Sequence, residues 1–542
     1  MLLSLVLTLA LWTAPDSTRD AARDSVPLYD GLGDHTHRIT TASPRAQRYF
    51  DQGLALTYGF NHAEAIRSFR EAQRLDPSCA MCQWGEALAF GPNINSVMDS
   101  ASGVAAFAAV QRARTLAASA TPLERALIGA LATRYAAPGT GDRKALDSAY
   151  ARAMGEVARR FPRDDDAQVL YAEALMDLSP WDYWTKQRQP KPTTVPMLAS
   201  LERVIARNAR HAGACHFYIH ANEAAYPERA VPCADRLPAL MPGAGHIVHM
   251  PAHVYVRVGR YADAVDINVH AAHADEAHLS DFAPDGAYRL AYYPHNYHFL
   301  WFAATMAGRS ATALEAARQT AAKVDPKLVR MPGLGALQHY RLTPLFTMVR
   351  FGKWREILAE PPRDADLPYE RAIWHYARAT ALAATGRAAE AETELAGLRT
   401  ARADTALARL TIWDINSASA VVDVALAVAT ADVAATRGDT VSALERLHDA
   451  VTLEDAMGYD EPPTWHLPVR QQLGALLLAT GRAADAERAF REDLDRHPEN
   501  GWSLHGLARA LRAQGREPEA AKVAARLERA WGKADVRLGG RD

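Results

Sequence analysis

Apolar and polar residues follow one another along this chain with the spacing of amphipathic helices. Apolar residues, many of them alanine, recur three and four positions apart through almost the whole length, and the period-two alternation of strands is nearly absent. A longer pattern is superimposed: an apolar helix, a glycine, a small or apolar residue five positions on, and a second helix that proline often closes. The glycines of this pattern are Gly259, Gly308, Gly352, Gly386, Gly438, Gly481 and Gly515. The sequence therefore predicts an all-α fold of repeated helical hairpins.

The intervals from Gly352 to Gly386 and from Gly481 to Gly515 are both 34 residues long. Small and aromatic residues recur at fixed places within such units, in one case Gly474, Ala486, Phe490 and Pro498, and in another Gly53, Ala65, Phe69, Ala72 and Pro77. This pattern resembles the tetratricopeptide repeat, in which small residues let two antiparallel helices approach and proline ends the second. The resemblance implies a right-handed α-solenoid of tetratricopeptide-like hairpins, irregular in residues 101–210, where the repeat is degenerate.

Three longer segments extend the resemblance to most of the chain. The segments GLGDHTHRITTASPRAQRYFDQG, YGFNHAEAIRSF and CAMCQWGEALAFGPNIN look like a family of large exported bacterial tetratricopeptide proteins, which has no settled function. The similarity implies a fold and no particular chemistry. We expect N-terminal repeats in residues 43–345, beginning with a helix that Ser43 and Pro44 initiate, and C-terminal repeats in residues 346–542.

The charge balance provides little electrostatic attraction to any partner. The 542 residues include 61 Lys and Arg against 63 Asp and Glu, a formal net charge of −2. This balance argues against nucleic acid and anionic membrane surfaces as partners. After the first dozen residues, no uninterrupted apolar run reaches the roughly 18 residues that a membrane span needs. No transmembrane helix is therefore expected in the mature chain.

The N-terminal stretch LLSLVLTLALW, residues 2–12, has the length of the apolar core of a secretory signal. We therefore expect a signal peptide and flexible N-terminus in residues 1–22, an extended segment in residues 23–42, and a periplasmic or secreted protein. The alternative is a frayed apolar N-terminus of a cytosolic protein, since no Lys or Arg precedes the run.

The four cysteines form two pairs in the sequence. Cys79 and Cys82 are three positions apart, and Cys215 and Cys233 flank a predicted helical turn. In an exported protein either pair could be a disulfide, and buried thiols are the alternative for both. Cys79, Cys82 and Glu86 could also form a metal-ligand set, although a disulfide or packed thiols are favoured.

Histidine is concentrated in one segment, because 11 of the 20 histidines lie between His211 and His298. Counting repeat positions from Gly259 places His246, His249 and His253 at the second, fifth and ninth positions of a first helix, which the resemblance assigns to the concave groove. The same register places three further histidines on corresponding helices, namely His295, His298 and His339. Other histidines, His211 among them, are expected on outer or second-helix faces.

His216, His220 and Glu223 lie just upstream at spacings of four and three, which aligns them on one helical face. Two imidazoles at this spacing, with a carboxylate one turn on, suit a metal ion. We therefore predict a transition-metal site that binds Zn, Cu, Fe or Mn, since these ions accept imidazole and carboxylate ligands. The expected ligands are His216, His220, Glu223, His246, His249 and His253, with His295 and His298 as further candidates.

Glu173 and Asp177 are four residues apart on one helical face, and Trp181 follows them. Their functional interpretation is acid–base catalysis by the two carboxylates, with Trp181 and His339 contacting the substrate. Helix-surface acids and a core tryptophan are the alternative. His35 and His37 could supply extra metal ligands, but we expect them to be solvated loop residues.

Two functions are compatible with these features. The first is an exported helical-repeat protein with a transition-metal site in its groove, which would act, as an enzyme, as a metal-dependent hydrolase or oxidase. The second is a non-enzymatic scaffold that binds a peptide or protein partner in the groove. The sequence contains no nucleotide-binding glycine loop, no serine-hydrolase elbow and no c-type haem motif.

Overall fold

A computed structural model describes residues 26–278 and 288–538, so the predicted signal peptide lies outside the described residues. Helices make up most of the described chain, which confirms the all-α prediction. The chain divides into two compact units. Unit 1 comprises residues 1–254 and 270–293, and unit 2 comprises residues 255–269 and 294–542. The grouping of repeats on either side of residue 345 stays a prediction.

Unit 1 contains the N-terminal helices together with a short 3₁₀ turn, Ala117–Ser119, and a π-helical turn, Tyr288–Tyr292. Its helices are α1 (Pro44–Tyr58), α2 (His62–Leu75), α3 (Ala80–Ala89), α4 (Ser100–Leu116), α5 (Pro122–Ala132), α6 (Arg143–Arg160), α7 (Asp165–Met176), α8 (Thr194–Arg207), α9 (Ala212–Asn222), α10 (Pro227–Leu240), α11 (Gly245–His249) and the first part of α12 (Pro251–Arg257). The chain passes between the units within α12 and α13 (Tyr261–His278).

Unit 2 contains the C-terminal helices and one two-stranded antiparallel ladder, formed by β1 (Thr411–Ile412) and β2 (Asn416–Ser417). Its helices are α14 (Tyr293–Met306), α15 (Ser310–Ala322), α16 (Gly335–Arg350), α17 (Trp354–Ala359), α18 (Pro368–Ala384), α19 (Ala388–Arg402), α20 (Ala406–Arg409), α21 (Ala418–Thr436), α22 (Thr440–Ala456), α23 (Val469–Ala479), α24 (Ala483–Arg496), α25 (Gly501–Ala513) and α26 (Glu517–Ala530).

Consecutive helices pack against each other within each unit, as α1 does with α2 and α18 with α19. All seven glycines of the repeat pattern have positive φ, from 65° at Gly352 to 80° at Gly259 and Gly481. Positive φ is a conformation that only glycine adopts at little cost, so the glycines allow the chain to reverse between paired helices. The hairpin turns predicted from the sequence are confirmed at these positions.

Two phenylalanines explain why small residues recur within the repeats. A Cβ atom at Gly53 would lie 2.7 Å from the ring of Phe69, and Cβ atoms at Gly474 and Gly506 would lie 2.7 and 2.2 Å from the ring of Phe490. Both rings are buried. Each phenylalanine therefore fills the space that the absent side chains leave between neighbouring helices.

Helix α1 begins where the sequence predicts. The hydroxyl of Ser43 accepts a hydrogen bond of 3.2 Å from the amide of Ala46, and Pro44 is the first helical residue. Between residues 101 and 210 the connections are longer and irregular. Residues 177–193, between α7 and α8, include an isolated bridge between Trp184 and Pro190.

Helix α21 is long and apolar enough to cross a membrane by length and composition alone, with a mean hydropathy of 1.7. Half of its apolar window is buried within the protein, and the helix packs against α18, α19 and α22. Asp423 and Asp432 interrupt its apolar sequence. A core helix of a helical-repeat protein has the same composition.

Both cysteine pairs are disulfides. Cys79–Cys82 closes the first turn of α3, and Cys215–Cys233 joins α9 to α10. No free cysteine occurs among the residues that the structure describes. The alternative interpretation of Cys79, Cys82 and Glu86 as a ligand set is therefore wrong, because a disulfide sulfur does not supply a thiolate.

Candidate metal centre

Helix α9 holds His216 and His220 in the interior of unit 1. The helix begins after His211, whose Nδ1 accepts a hydrogen bond of 3.2 Å from the amide of Ala214, and every residue of the helix is buried. The two imidazoles therefore face protein rather than solvent. The Cys215–Cys233 disulfide attaches the helix to α10 one residue before His216, which limits its movement.

The Nε2 atoms of His216, His220 and His246 converge on one another. His216 Nε2 lies 3.0 Å from His220 Nε2 and 3.2 Å from His246 Nε2, and the three ligand atoms all lie within 4.8 Å of each other. Nitrogens bound at about 2.05 Å to one tetrahedral ion would be about 3.3 Å apart. The two shorter separations are therefore close to those between ligands of a single ion, and the third nitrogen pair lies within 4.8 Å.

The partners of the two Nδ1 atoms show which nitrogen of each ring carries the hydrogen. His216 Nδ1 lies 2.6 Å from the carbonyl oxygen of Tyr58, and His220 Nδ1 lies 3.4 Å from Glu223 Oε1. Because carbonyl and carboxylate oxygens only accept hydrogen bonds, both Nδ1 atoms donate. In the neutral rings, the two Nε2 atoms then direct lone pairs at each other across 3.0 Å. A cation bound by both nitrogens removes this repulsion, and such acceptors on Nδ1 are the usual partners of metal-binding histidines.

The electrostatic environment keeps these imidazoles neutral. Burial lowers the pKa of His216, His220 and His246 well below the usual 6.5, and neighbouring imidazoles lower it further. A proton shared between the rings is therefore disfavoured at neutral pH. Neutral imidazole is also the form that binds a metal ion.

Glu223 lies behind the imidazoles instead of among their Nε2 atoms. Its Oε1 accepts from His220 Nδ1, and its Oε2 lies 3.2 Å from His253 Nδ1. His253 Nε2 in turn lies 2.9 Å from His249 Nε2. Glu223 thus contacts one ring in each of two histidine groups. Its predicted role as a metal ligand stays a prediction. His249 and His253 form a second imidazole pair beside the first group.

Phe60 forms one wall of this histidine cluster. Its ring centroid lies 4.6 Å from that of His216, and it stacks on His246 at 5.5 Å. The backbone of Phe60 has φ of 57°, a left-handed conformation that costs a bulky residue about 1–3 kcal/mol. Tyr292 lies edge-on to His246 at 4.7 Å. Sequence reasoning missed both aromatic residues, because a left-handed phenylalanine in a helix–helix turn has no recognisable sequence pattern.

Trp181, predicted to contact substrate, lies at the edge of the same cluster. Its ring is perpendicular to that of His220 at 5.0 Å, and its indole nitrogen donates a 3.0 Å hydrogen bond to the carbonyl of Ile94. Trp181 also has positive φ, 63°. Two strained aromatic residues therefore flank one group of imidazoles, and such strain is concentrated at functional sites.

A second histidine group surrounds the carboxylate of Asp166. His35 Nε2 lies 3.0 Å and His37 Nδ1 2.8 Å from its oxygens, the Tyr58 hydroxyl donates at 2.6 Å, and His211 Nε2 lies at 3.3 Å. The expectation that His35 and His37 are solvated loop residues is wrong, because Asp166 binds both. His211 is likewise buried instead of lying on an outer face.

Hydrogen bonds to Asp166 connect the members of this second group. His211 Nδ1 accepts an amide hydrogen bond, so in the neutral ring Nε2 carries the hydrogen and donates to Asp166. Burial alone would raise the pKa of Asp166, but the charge of His35 and hydrogen bonds from the surrounding imidazoles hold it well below its usual range. Burial opposes a charge on His37, yet its hydrogen bond to Asp166 raises its pKa to about 9.

Glu173 and Asp177, the predicted acid–base pair, meet at one arginine. The buried guanidinium of Arg134 donates to Asp177, and its Nη1 lies 3.5 Å from Glu173 Oε1. Burial, and then the charge of Glu173, raises the pKa of Asp177 well above its usual range. The two carboxylates are therefore not helix-surface acids. Their acid–base role stays a prediction.

The remaining predicted site residues belong to unit 2. His298 and His339 are buried with their rings 5.8 Å apart, and His295 precedes His298 by nearly one turn of α14. His339 Nδ1 lies 2.8 Å from the hydroxyl of Tyr369. Unit 1 thus brings together six of the eight predicted ligands. The roles proposed for His295, His298 and His339 stay predictions.

Known structures resemble the chain only at low sequence identity and low TM-score. No protein-family model and no curated protein sequence matches the chain. Among solved structures, the human IFIT1 dimer with m7Gppp-AAAA is 12% identical over 91% of each chain, with a TM-score of 0.29. An IFIT1 monomeric mutant with Gppp-AAAA is 14% identical over 89% of this chain and 90% of that one, with a TM-score of 0.30. The TPR domain of P58(IPK) is 11% identical over 87% and 98%, with a TM-score of 0.23.

The helix pairing and the turn glycines of the chain itself define an all-α solenoid built from tetratricopeptide-like helical hairpins.

Proposed function

We propose that the protein binds a transition-metal ion through Nε2 of His216, His220 and His246. The observation that supports this proposal is the pair of lone-pair-bearing Nε2 atoms of His216 and His220, 3.0 Å apart, whose Nδ1 atoms both donate elsewhere. Histidines that only pack or bond to each other would alternate donor and acceptor. Glu223 orients the ligand set, and His249 and His253 provide two more nitrogens for a second ion or for proton transfer.

The ligand chemistry narrows the choice of ion. Neutral imidazoles suit Zn, Cu, Fe and Mn to different degrees, whereas Ca and Mg prefer oxygen ligands. Three protein ligands leave a coordination position for water or substrate, as in catalytic zinc sites. Metal-dependent hydrolysis or oxidation is the activity that such a site would support. Trp181, whose ring lies 5.0 Å from that of His220, is the proposed substrate contact.

The two disulfides support the accompanying proposal of an exported protein, periplasmic or secreted. Disulfides persist in oxidising compartments and are rare in the cytosol. Cys215–Cys233 lies next to His216, so an oxidising compartment would also hold α9 in place at the metal site.

The direct test is the metal content of the full chain, purified without a His tag and measured by plasma mass spectrometry. We expect about one equivalent of Cu, Fe, Mn or Zn in the wild type and less than a tenth of that in a His220→Ala, His246→Ala double variant. His448→Ala is the matched control, because His448 is exposed on α22. Circular dichroism checks that each variant is folded.

A folded wild type that is purified without metal and does not take up added ions would contradict the proposal. The alternative function would then be the interaction scaffold, which binds a peptide or protein partner. A metal-loaded wild type should next be assayed for ester hydrolysis and for oxygen consumption, because these readouts separate a hydrolase from an oxidase.

A further inference from the structure

Unit 2 contains a group of buried aromatic and imidazole rings. Its members are distant in sequence from the metal ligands proposed for unit 1. His466 stacks on Phe346 with 4.3 Å between ring centroids, and it lies 4.7 Å from Trp465 and 6.0 Å from Tyr376. Phe346 belongs to α16 and Tyr376 to α18, while Trp465 and His466 precede α23. None of the four is more than 3% exposed, so the group belongs to the interior of unit 2.

The polar atoms of this group lack partners within the described part of the chain. Trp465 Nε1, the Tyr376 hydroxyl and both nitrogens of His466 are buried without a hydrogen bond. The same is true of the Tyr340 hydroxyl and both nitrogens of His298, whose rings are 5.0 Å apart. Folded proteins satisfy most buried polar groups, so a concentration of unpaired ones indicates a ligand with complementary atoms.

Arg350 adds a positive charge to this group. It follows Phe346 by one turn of α16, and its guanidinium lies 3.8 Å above the ring of Trp502. Its Nε and one Nη atom are buried with no hydrogen-bond partner among the residues described. Burial lowers the pKa of Arg350 to about 9, and its charge contributes to a lowered pKa of His466. The charge of Asp493 opposes the lowering of the Arg350 pKa, although no ion pair joins it to Arg350 among the residues described. Guanidinium nitrogens that are buried without a bonded partner are costly, so an anion is their chemical complement.

We propose that unit 2 binds a small organic anion whose carboxylate or phosphate group is held by Arg350. The indole N–H of Trp465, the hydroxyl of Tyr376 and an N–H of His466 are the further donors. This site is independent of the metal centre proposed for unit 1.

The first experiment titrates the full wild-type chain with benzoate, phenyl phosphate and inorganic phosphate by isothermal calorimetry. We expect saturable binding of benzoate or phenyl phosphate, and at least tenfold weaker binding to Arg350→Gln, because a charge-assisted hydrogen bond is lost. Arg330→Gln is the control, since Arg330 is an exposed arginine that pairs with Asp364 and Asp366. Benzoate binding alone identifies a carboxylate ligand, and phenyl phosphate binding alone identifies a phosphate ester.

Failure of all three probes to bind, or equal affinity in the wild type and Arg350→Gln, would overturn the proposal. A second comparison needs no ligand. Tyr376→Phe removes a hydroxyl without a protein partner, so we expect an unchanged or higher melting temperature. Tyr369→Phe removes the 2.8 Å hydrogen bond to His339 Nδ1 and should lower it. Equal losses in the two variants would assign the Tyr376 hydroxyl a structural role and would also contradict the ligand site.

Discussion

His216 and His220 present their Nε2 atoms to each other across 3.0 Å, although the Nδ1 atom of each ring already donates to an oxygen. One acceptor is the backbone carbonyl of Tyr58 and the other is the carboxylate of Glu223. Two neutral imidazoles in these tautomers repel each other unless a cation lies within reach of both. This arrangement of donors and acceptors is the basis on which we propose a metal ion at these two nitrogens.

Glu223→Gln tests the orienting role of the carboxylate. A glutamine side chain has one acceptor oxygen where Glu223 presents one oxygen to His220 and the other to His253. We expect metal affinity to fall by about 10- to 100-fold, as for other acceptors behind metal-binding histidines, with the fold intact. Competition with a chromophoric chelator measures the affinity. Glu202→Gln, at an exposed position of α8, should bind metal as the wild type does.

His37 makes the protein less stable in alkaline solution. Its folded pKa of about 9 is higher than the 6.5 of the unfolded chain, so its contribution is fully present below pH 6.5 and is lost as pH rises through 9. A shift of this size corresponds to about 3 kcal/mol of unfolding free energy. Urea titrations between pH 6 and 10 should show the loss in the wild type. His37→Gln should be less stable at pH 6 and should show a flatter profile, and a parallel profile would refute this assignment.

His339 makes the protein less stable in acidic solution. Burial lowers its pKa to about 4 in the folded chain, so the unfolded chain binds its proton first. Its contribution is therefore complete above pH 6.5 and is lost as pH falls below that value. Between pH 7 and pH 5 the loss should be about 2 kcal/mol of unfolding free energy. In His339→Gln this part of the pH dependence should disappear, whereas His448→Gln should keep it.

The Cys215–Cys233 disulfide should stabilise the chain more than Cys79–Cys82 does. Its two cysteines are 18 positions apart in the sequence, whereas Cys79 and Cys82 are 3 positions apart. Closing a longer loop removes more conformational entropy from the unfolded chain. We expect Cys215→Ala, Cys233→Ala to cost about 3 kcal/mol of unfolding free energy. Cys79→Ala, Cys82→Ala should cost clearly less. Melting temperatures with and without a reducing agent compare the pairs, and the larger loss in the second variant would count against this ranking.

Gly506→Ala should destabilise unit 2 by about 1–3 kcal/mol, since its Cβ would lie 2.2 Å from the ring of Phe490. Gly129→Ala is the matched helical control, because a Cβ there meets nothing within 4 Å. Alanine in a free helical position is about 0.5–1 kcal/mol more stable than glycine. The free energy of unfolding, measured by chemical denaturation, should therefore fall in Gly506→Ala and rise in Gly129→Ala.

The fold was predictable because its signals are local. A glycine that reverses the chain, a small residue that permits close packing and Ser43 before Pro44 act within a few positions of the sequence. The spacing of His216, His220 and Glu223 was informative for the same reason, since one helix presents all of them.

The rest of the site depends on contacts between distant parts of the chain. Phe60 stacks on His246, which lies 186 positions further along, and His37 reaches Asp166 across 129 positions. The periodicity of apolar residues in the sequence does not predict such contacts. The grouping in unit 2 around Arg350 and His466 was missed because isolated residues of common types carry no pattern until helices bring them together.

Tyr58 is bound at both ends, with its carbonyl oxygen at His216 and its hydroxyl at Asp166. A protease that nicks the chain just after His37, or a recombinant version that starts beyond it, removes two of the four donors around Asp166. The disturbance then reaches an imidazole of the proposed metal centre through a single tyrosine. Preparations that differ in cleavage near the N-terminus would therefore also differ in metal occupancy.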